Sequence, residues 1–113
     1  MKKIEAIIRP EKFREIKEAL EVAGYPGVTV TEVEGHGKQK GVDRKFRGMK
    51  YRLELIPKIK LEIVTTPKNV SKIVKAILKA ARTNKVGDGK IFVYSIEKAY
   101  KISSGEGGEK VVS

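Results

Sequence analysis

Gly35-His36-Gly37-Lys38-Gln39-Lys40-Gly41-Val42-Asp43-Arg44-Lys45-Phe46-Arg47-Gly48-Met49-Lys50-Tyr51-Arg52-Leu53-Glu54-Leu55-Ile56-Pro57 divides the chain into two halves of one design. Most of this stretch carries neither a strand nor a helix period. It holds glycine at 35, 37, 41 and 48 and Lys or Arg at 38, 40, 44, 45, 47, 50 and 52. Structureless loops of about 20 residues are uncommon inside small domains and are usually functional. The runs on either side, Val28–Val33 and Ile59–Val64, read as strands, so the rest of the chain reads as a scaffold presenting this loop.

On both sides of the loop the same order of elements repeats. Ile4–Ile8 is a short apolar run closed by Arg9-Pro10, and Pro10 suits the first turn of a helix because its missing N–H would be unsatisfied there anyway. Phe13, Ile16, Leu20 and Ala23 then make one apolar stripe at helical spacing, and Gly24 ends it. Val28–Thr31 alternates as a strand, with a phase shift at Val33 that predicts a bulge or strong twist. In the second half Ile59, Leu61 and Ile63 alternate with Lys60, Glu62 and Val64, and Thr66-Pro67 repeats the stop-and-start signal. Val70, Ile73, Val74, Ile77, Leu78 and Ala81 mark a second amphipathic helix. Gly87-Asp88-Gly89 breaks the chain before a fourth strand, Ile91–Tyr94. Ala99–Ile102 is a candidate for a short extended piece, and about 103–113 reads as a flexible C-terminal tail.

The pattern predicts one α+β domain over 1–113, a ferredoxin-like βαββαβ antiparallel sheet with both helices on one face. The other face then carries a mixture such as Ile7, Glu62 and Val64, for which oligomerisation is the economical cover.

Composition narrows the partners. With 113 residues a core can form without staples, and the absence of Cys excludes disulfides and thiolate metal sites. No apolar run approaches the ~18 residues of a membrane span, and the start has no signal-type apolar region, so a cytoplasmic location without membrane insertion is expected. The 25 Lys and Arg exceed the 14 Asp and Glu by 11. Two readings meet that charge: a polyanionic partner, or a thermophile-like surface rich in Lys and Glu with a single Gln and two Asn. The second covers the general charge but not the crowding of cations into one loop.

Catalytic equipment is thin. His36 is the only histidine and Asp43 and Asp88 are the only aspartates, too few for a metal cluster or a Ser-His-Asp triad. His36 reads more naturally as an exposed loop residue than as a phospho-histidine centre. Phosphate binding has better support. In Gly87-Asp88-Gly89-Lys90, glycines can turn backbone N–H groups into an anion nest beside the Lys90 charge. It is not a Walker A loop, and G-D-G is also an ordinary tight turn. A second glycine and cation cluster, Gly35–Gly41, strengthens it, because in the split-βαβ fold both clusters fall at sheet edges and could line one cleft between subunits.

These residues carry a resemblance to the PII-type nitrogen signalling proteins over essentially the full length. The carriers are Met1–Pro10, Gly27–Gly41, Leu55–Val64 and Thr83–Phe92, the last (T-N-K-V-G-D-G-K-I-F) being close to the family signature T-G-x-x-G-D-G-K-I-F. The resemblance implies a non-catalytic homotrimer with nucleotide clefts between subunits and a T-loop at about 37–55. It implies ATP and ADP competing for the cleft, and 2-oxoglutarate joining Mg2+ and ATP at the loop base. Partners such as ammonium transporters or glutamine synthetase would answer to the loop. Carried over by position, Gly87, Asp88, Gly89 and Lys90 would hold phosphates, with Gly35, Gly37, Lys38 and Gln39 closing from the loop side, Thr29, Glu62 and Val64 at the adenine end, and Lys101 from the C-terminal segment. Gln39 would also ligate Mg2+, and 2-oxoglutarate would meet Gly37, Gln39, Lys40, Gly41, Gly87 and Lys58, the last through its distal carboxylate. Each ligand would then complete the other's site, which makes their binding reciprocal.

Three departures qualify the resemblance. The signature Y-x-G-x-E-Y stands here as Phe46-Arg47-Gly48-Met49-Lys50-Tyr51, leaving Tyr51 as a candidate modification site beside a cation instead of an acid. The family's two phosphate-contacting arginines correspond to Lys101 and Ser103, and Lys lacks the guanidinium fork. Asn84 replaces a signature glycine, which Asn tolerates through its access to left-handed angles. Two alternatives remain: a PII-like adenine-nucleotide sensor that has lost 2-oxoglutarate sensing, or a basic nucleic-acid binder on a ferredoxin-like sheet. The latter lacks the aromatic pattern of such sheets, so no nucleic acid is expected.

Overall fold

The computed structural model describes the chain except residues 26, 37–41, 47, 48, 54 and 113, and gives the backbone alone for 42–46 and 49–53. β1 (Lys2–Ile8) ends at Arg9, whose extended backbone (ψ 136°) is what a following proline favours. A 3-10 turn, Pro10–Lys12, leads into α1 (Phe13–Val22). The second half repeats the device: Thr66 is extended (ψ 154°), Pro67–Asn69 makes a 3-10 turn, and α2 (Val70–Ala81) comes next. The remaining strands are β2 (Thr29–Gly35), β3 (Val42–Phe46), β4 (Met49–Leu53), β5 (Ile56–Thr65) and β6 (Gly89–Ser95).

The main sheet is antiparallel in the order β2-β5-β1-β6, the ferredoxin-like arrangement expected from the sequence. Ile4, Ala6 and Ile8 of β1 and Leu61 and Ile63 of β5 point to one face, where they pack with Ile16 and Leu20 of α1 and Ile73 and Ile77 of α2. Burying such side chains supplies about 1.5–3 kcal/mol each before entropy is counted. Leu78, expected in the α2 stripe, lies at its margin and is 42% exposed. The phase shift at Val33 produces no extra residue: β2 pairs with β5 without interruption from Thr29↔Glu62 to Gly35↔Ile56.

The opposite sheet face is charged, and its charges answer one another. Lys3 lies 3.3 Å from Glu62, Lys60 lies 3.9 Å from Glu62, and the Tyr94 hydroxyl donates to Glu5 at 3.1 Å. Lys3 also sits over the Tyr94 ring at 4.6 Å.

Within the stretch expected to lack strand period, β3 and β4 form a separate two-stranded ribbon, with Val42↔Leu53 at its base and Phe46↔Met49 at its tip. β4 does alternate, with Met49, Tyr51 and Leu53 against Lys50 and Arg52, a strand signal outweighed by the glycines and cations around it. At the other end of the chain, 99–108 folds back on itself. Tyr100 and Gly107 form a bridge, Lys101 N–H donates to the Glu106 carbonyl at 2.7 Å, and Gly108 N–H donates to the Ala99 carbonyl at 3.1 Å. Among the described residues, no helix is long and apolar enough to cross a membrane.

Candidate functional site

α2 stops because Arg82 leaves helical angles (ψ 128°), and the chain then winds around one carboxylate. Asp88 accepts from the backbone N–H of Thr83 (2.9 Å) and of Asn84 (3.0 Å), from the Thr83 hydroxyl, and from Arg9 Nε (3.2 Å). Arg9 also donates through Nη2 to the Val86 carbonyl at 2.7 Å. Asn84 takes the left-handed conformation (φ 65°), as its place in the signature demands. The donors from Thr83, and after them those of Arg9 and Asn84, hold the Asp88 carboxyl well below the ordinary carboxylate range. Its charge is satisfied inside the loop.

Gly87 (φ 103°) and Gly89 (φ 100°) supply the turns on either side of Asp88. At Gly89 the need for glycine is absolute, since a Cβ there would lie 1.7 Å from the Ile7 carbonyl oxygen. The loop is thus pressed onto the end of β1 and fastened to it by Arg9.

Lys58 of β5 faces the loop and is buried, its ammonium donating to the Gly87 carbonyl at 2.7 Å. Burial, and then the neighbouring Arg9 charge, lower its pKa, while Glu11 and Asp88 oppose that shift. Gly35 of β2 passes close to the Lys58 stem, where a Cβ would meet Cγ at 3.3 Å. Between the two glycine clusters lies an open cleft of about 530 Å³. Gly35 and His36 form one wall, 85–90 the other, and Ile7, Ile56 and Phe92 the floor, with Lys58, Lys85 and Lys90 contributing cations. Lysines, positive-φ glycines and an apolar floor suit a small anion attached to an apolar body. Among the described residues, no group of three or more His, Asp or Glu could hold a metal ion.

The nitrogen regulatory protein P-II family model matches residues 1–106. The chain belongs to this family. It is 50% identical over 112 residues to nitrogen regulatory protein P-II 2 of Methanothermobacter thermautotrophicus, covering 99% of this chain and 97% of that one. It is 51% identical to nitrogen regulatory protein P-II of Cereibacter sphaeroides and 52% to that of Rhodobacter capsulatus, in each case over 99% of this chain and the whole of the relative.

In this P-II chain the cleft gathers Gly35, Lys58, Gly87, Asp88, Gly89 and Lys90 from the residues singled out in the sequence. It does not gather Thr29, Glu62, Val64 or Lys101. Thr29 and Glu62 face each other across β2 and β5, four residues beyond Lys58, which at strand spacing is roughly 14 Å. Val64 lies further along the same open face, and Lys101 belongs to the exposed C-terminal turn. Gly37, Lys38, Gln39, Lys40 and Gly41, and the side chain of Tyr51, lie outside the described residues. Sequence reasoning missed Arg9 and Thr83. Arg9 reads only as the residue before a helix-starting proline. Thr83, five residues before Asp88, carries a readable signal, because Ser and Thr next to a carboxylate commonly close such loops.

Proposed function

We propose that this P-II chain is a regulator that catalyses nothing itself and senses adenine nucleotides together with 2-oxoglutarate. The phosphates of ATP or ADP lie against Gly87, Gly89 and Lys90, and 2-oxoglutarate places its distal carboxylate on Lys58. Mg2+ is held by nucleotide phosphates and Gln39, bridging them to the 2-oxo acid end. The observation that carries this reading is the convergence of residues from two glycine clusters and of three lysines, Lys58, Lys85 and Lys90, on one cleft of a P-II family chain.

The roughly 14 Å between Lys58 and the Thr29–Glu62 pair supports the adenine end being supplied by a neighbouring subunit, hence a homotrimer with clefts between chains. The charged open face of the sheet is the surface such an assembly would cover. The 35–57 stretch, with its seven cations, then meets the regulated protein, for which an ammonium transporter or glutamine synthetase is the family expectation.

Calorimetric titration of ATP and Mg2+ with and without 2-oxoglutarate tests the reading. Each ligand should tighten the other by the same factor. Absence of adenine-nucleotide binding sinks the reading. ATP binding indifferent to 2-oxoglutarate favours the second reading, a nucleotide sensor without 2-oxoglutarate sensing. Lys101 and Ser103, where the family often has arginines, motivate that second reading.

A further inference from the structure

Between Glu62 and Glu97 the chain has one acidic residue, Asp88, whose carboxylate is occupied by Arg9, Thr83 and Asn84. The same interval holds Lys68, Lys72, Lys75, Lys79, Arg82, Lys85 and Lys90. The first five recur at spacings of four, three, four and three. Within α2, at about 100° per residue, Lys72, Lys75 and Lys79 fall inside an arc of about 60°. Lys68 and Arg82 extend the row at either end, and all five side chains are exposed. None of the five has a salt-bridge partner among the described residues; Lys72 alone has a ring contact, to Tyr25 at 5.6 Å. The companion helix is different: Lys12 pairs with Glu15 and Lys17 with Glu21.

We infer that this row is an electrostatic docking surface for an anionic lipid bilayer, apart from the ligand cleft and independent of the function proposed for it. Lys is a strongly hydrated point charge on a flexible stem, suited to a diffuse negative surface, whereas Arg provides the forked phosphate and base contacts of nucleic-acid recognition. The one aromatic ring beside the row, that of Tyr25, is half-buried and lies under Lys72, so it is not free as a platform on which bases could stack. Leu78 stands among the cations, beside Lys75, Lys79 and Arg82, and is 42% exposed. An apolar side chain between lysines suits the headgroup boundary, with the lysine stems snorkelling beside it. The apolar stripe of α2 is already buried against the sheet, so the attachment is adsorption without insertion.

The test is co-sedimentation of the full chain with vesicles of phosphatidylcholine alone and with about a third phosphatidylglycerol. Binding is expected only to the anionic vesicles and should collapse as salt shortens the screening length. Each cation near such a surface contributes roughly a fivefold gain in partition. Replacing Lys72, Lys75 and Lys79 with Gln should therefore weaken binding about a hundredfold. A control with the same loss of charge elsewhere, Lys2→Gln with Lys17→Gln and Lys98→Gln, should lose far less, and circular dichroism checks that both variants fold. Equal loss in the two variants would mean that net charge, not the row, governs binding, and would overturn the inference. So would failure to bind anionic vesicles, or a preference for a 20-base-pair duplex over the vesicles at matched salt.

Discussion

α1 and α2 start from the same signal, Arg9-Pro10 and Thr66-Pro67, and press apolar stripes of the same kind onto one face of the sheet. They differ in the connection at their C-terminal ends and in the surface they show to solvent. α1 closes locally: Gly24 takes φ 92° and Tyr25 N–H returns to the Leu20 carbonyl at 2.8 Å, with open space around the glycine. α2 runs instead into a loop wound around Asp88 and fastened by Arg9 from the other half of the chain. Duplicated architecture therefore gives one plain half and one specialised half. The specialisation lies in the connection and the surface, while the core is shared.

The two glycines put this contrast to its most severe test. Gly24→Ala incurs only a left-handed backbone, about 1 kcal/mol. Gly89→Ala incurs the same strain and must also displace the Ile7 carbonyl, so about 3 kcal/mol or more is expected. Urea unfolding of the two variants measures the gap. Equal midpoints would mean that the 83–90 loop is not pressed onto β1.

Next in size is Lys58→Met, which keeps the stem and removes the charge. We expect 2-oxoglutarate affinity in the presence of Mg2+ and ATP to fall about a hundredfold, with nucleotide affinity changing only a few-fold. The wild-type protein carries the matching pH dependence. The Lys58 pKa is lowered from 10.5 by burial, and a carboxylate ligand stabilises the ammonium. Affinity is therefore full below the free-state pKa and declines as pH rises through it, in the alkaline range below 10.5. Affinity that does not decline with rising pH before the ordinary lysine range is reached would remove Lys58 from the carboxylate site.

A smaller effect is expected from Asp88→Asn, which leaves an acceptor for Thr83 but loses the ion pair with Arg9. Nucleotide affinity should fall roughly tenfold, and amide exchange at Thr83 and Asn84 should quicken. The Asp88 carboxyl is depressed, so its contribution is complete above its ordinary value of 3.8 and is lost only as pH falls below that. Protection of these two amides should persist at about pH 4 in the wild-type protein and be absent in the variant.

Burial also decided which parts of the molecule were legible from residues alone. Strand and helix positions were readable wherever one side of an element is buried, because burial imposes alternation on β5 and a stripe on α2. The β3–β4 ribbon was not: Met49, Tyr51 and Leu53 alternate with Lys50 and Arg52, but Val42–Phe46 has no such period and the neighbouring glycines and cations read as a loop. The glycine clusters announced the cleft through Gly35, Gly87 and Gly89. Arg9 was invisible as a clamp because its partners lie 77 and 79 residues away in the chain. Lys58 falls on the open sheet face by alternation, and only the 83–90 loop folding over it explains its burial.

The last contrast is one of sign. Lys17 and Glu21 on α1 are an i,i+4 pair at 4.0 Å, so Lys17→Gln should cost about 0.3 kcal/mol. On α2, Lys72–Lys75 and Lys75–Lys79 are like-charge neighbours at helical spacings of three and four, each unfavourable by about 0.2–0.5 kcal/mol. Lys75→Gln relieves both at once and should stabilise the protein by about 0.5 kcal/mol at low salt, with both effects fading as salt screens them. Thermal melting at two ionic strengths resolves the opposite signs. If Lys75→Gln destabilises as Lys17→Gln does, the row is balanced by acids and its unipolar surface is not what faces solvent. If it stabilises, the cations of α2 persist to the detriment of folding, which a purely structural helix surface has no reason to bear.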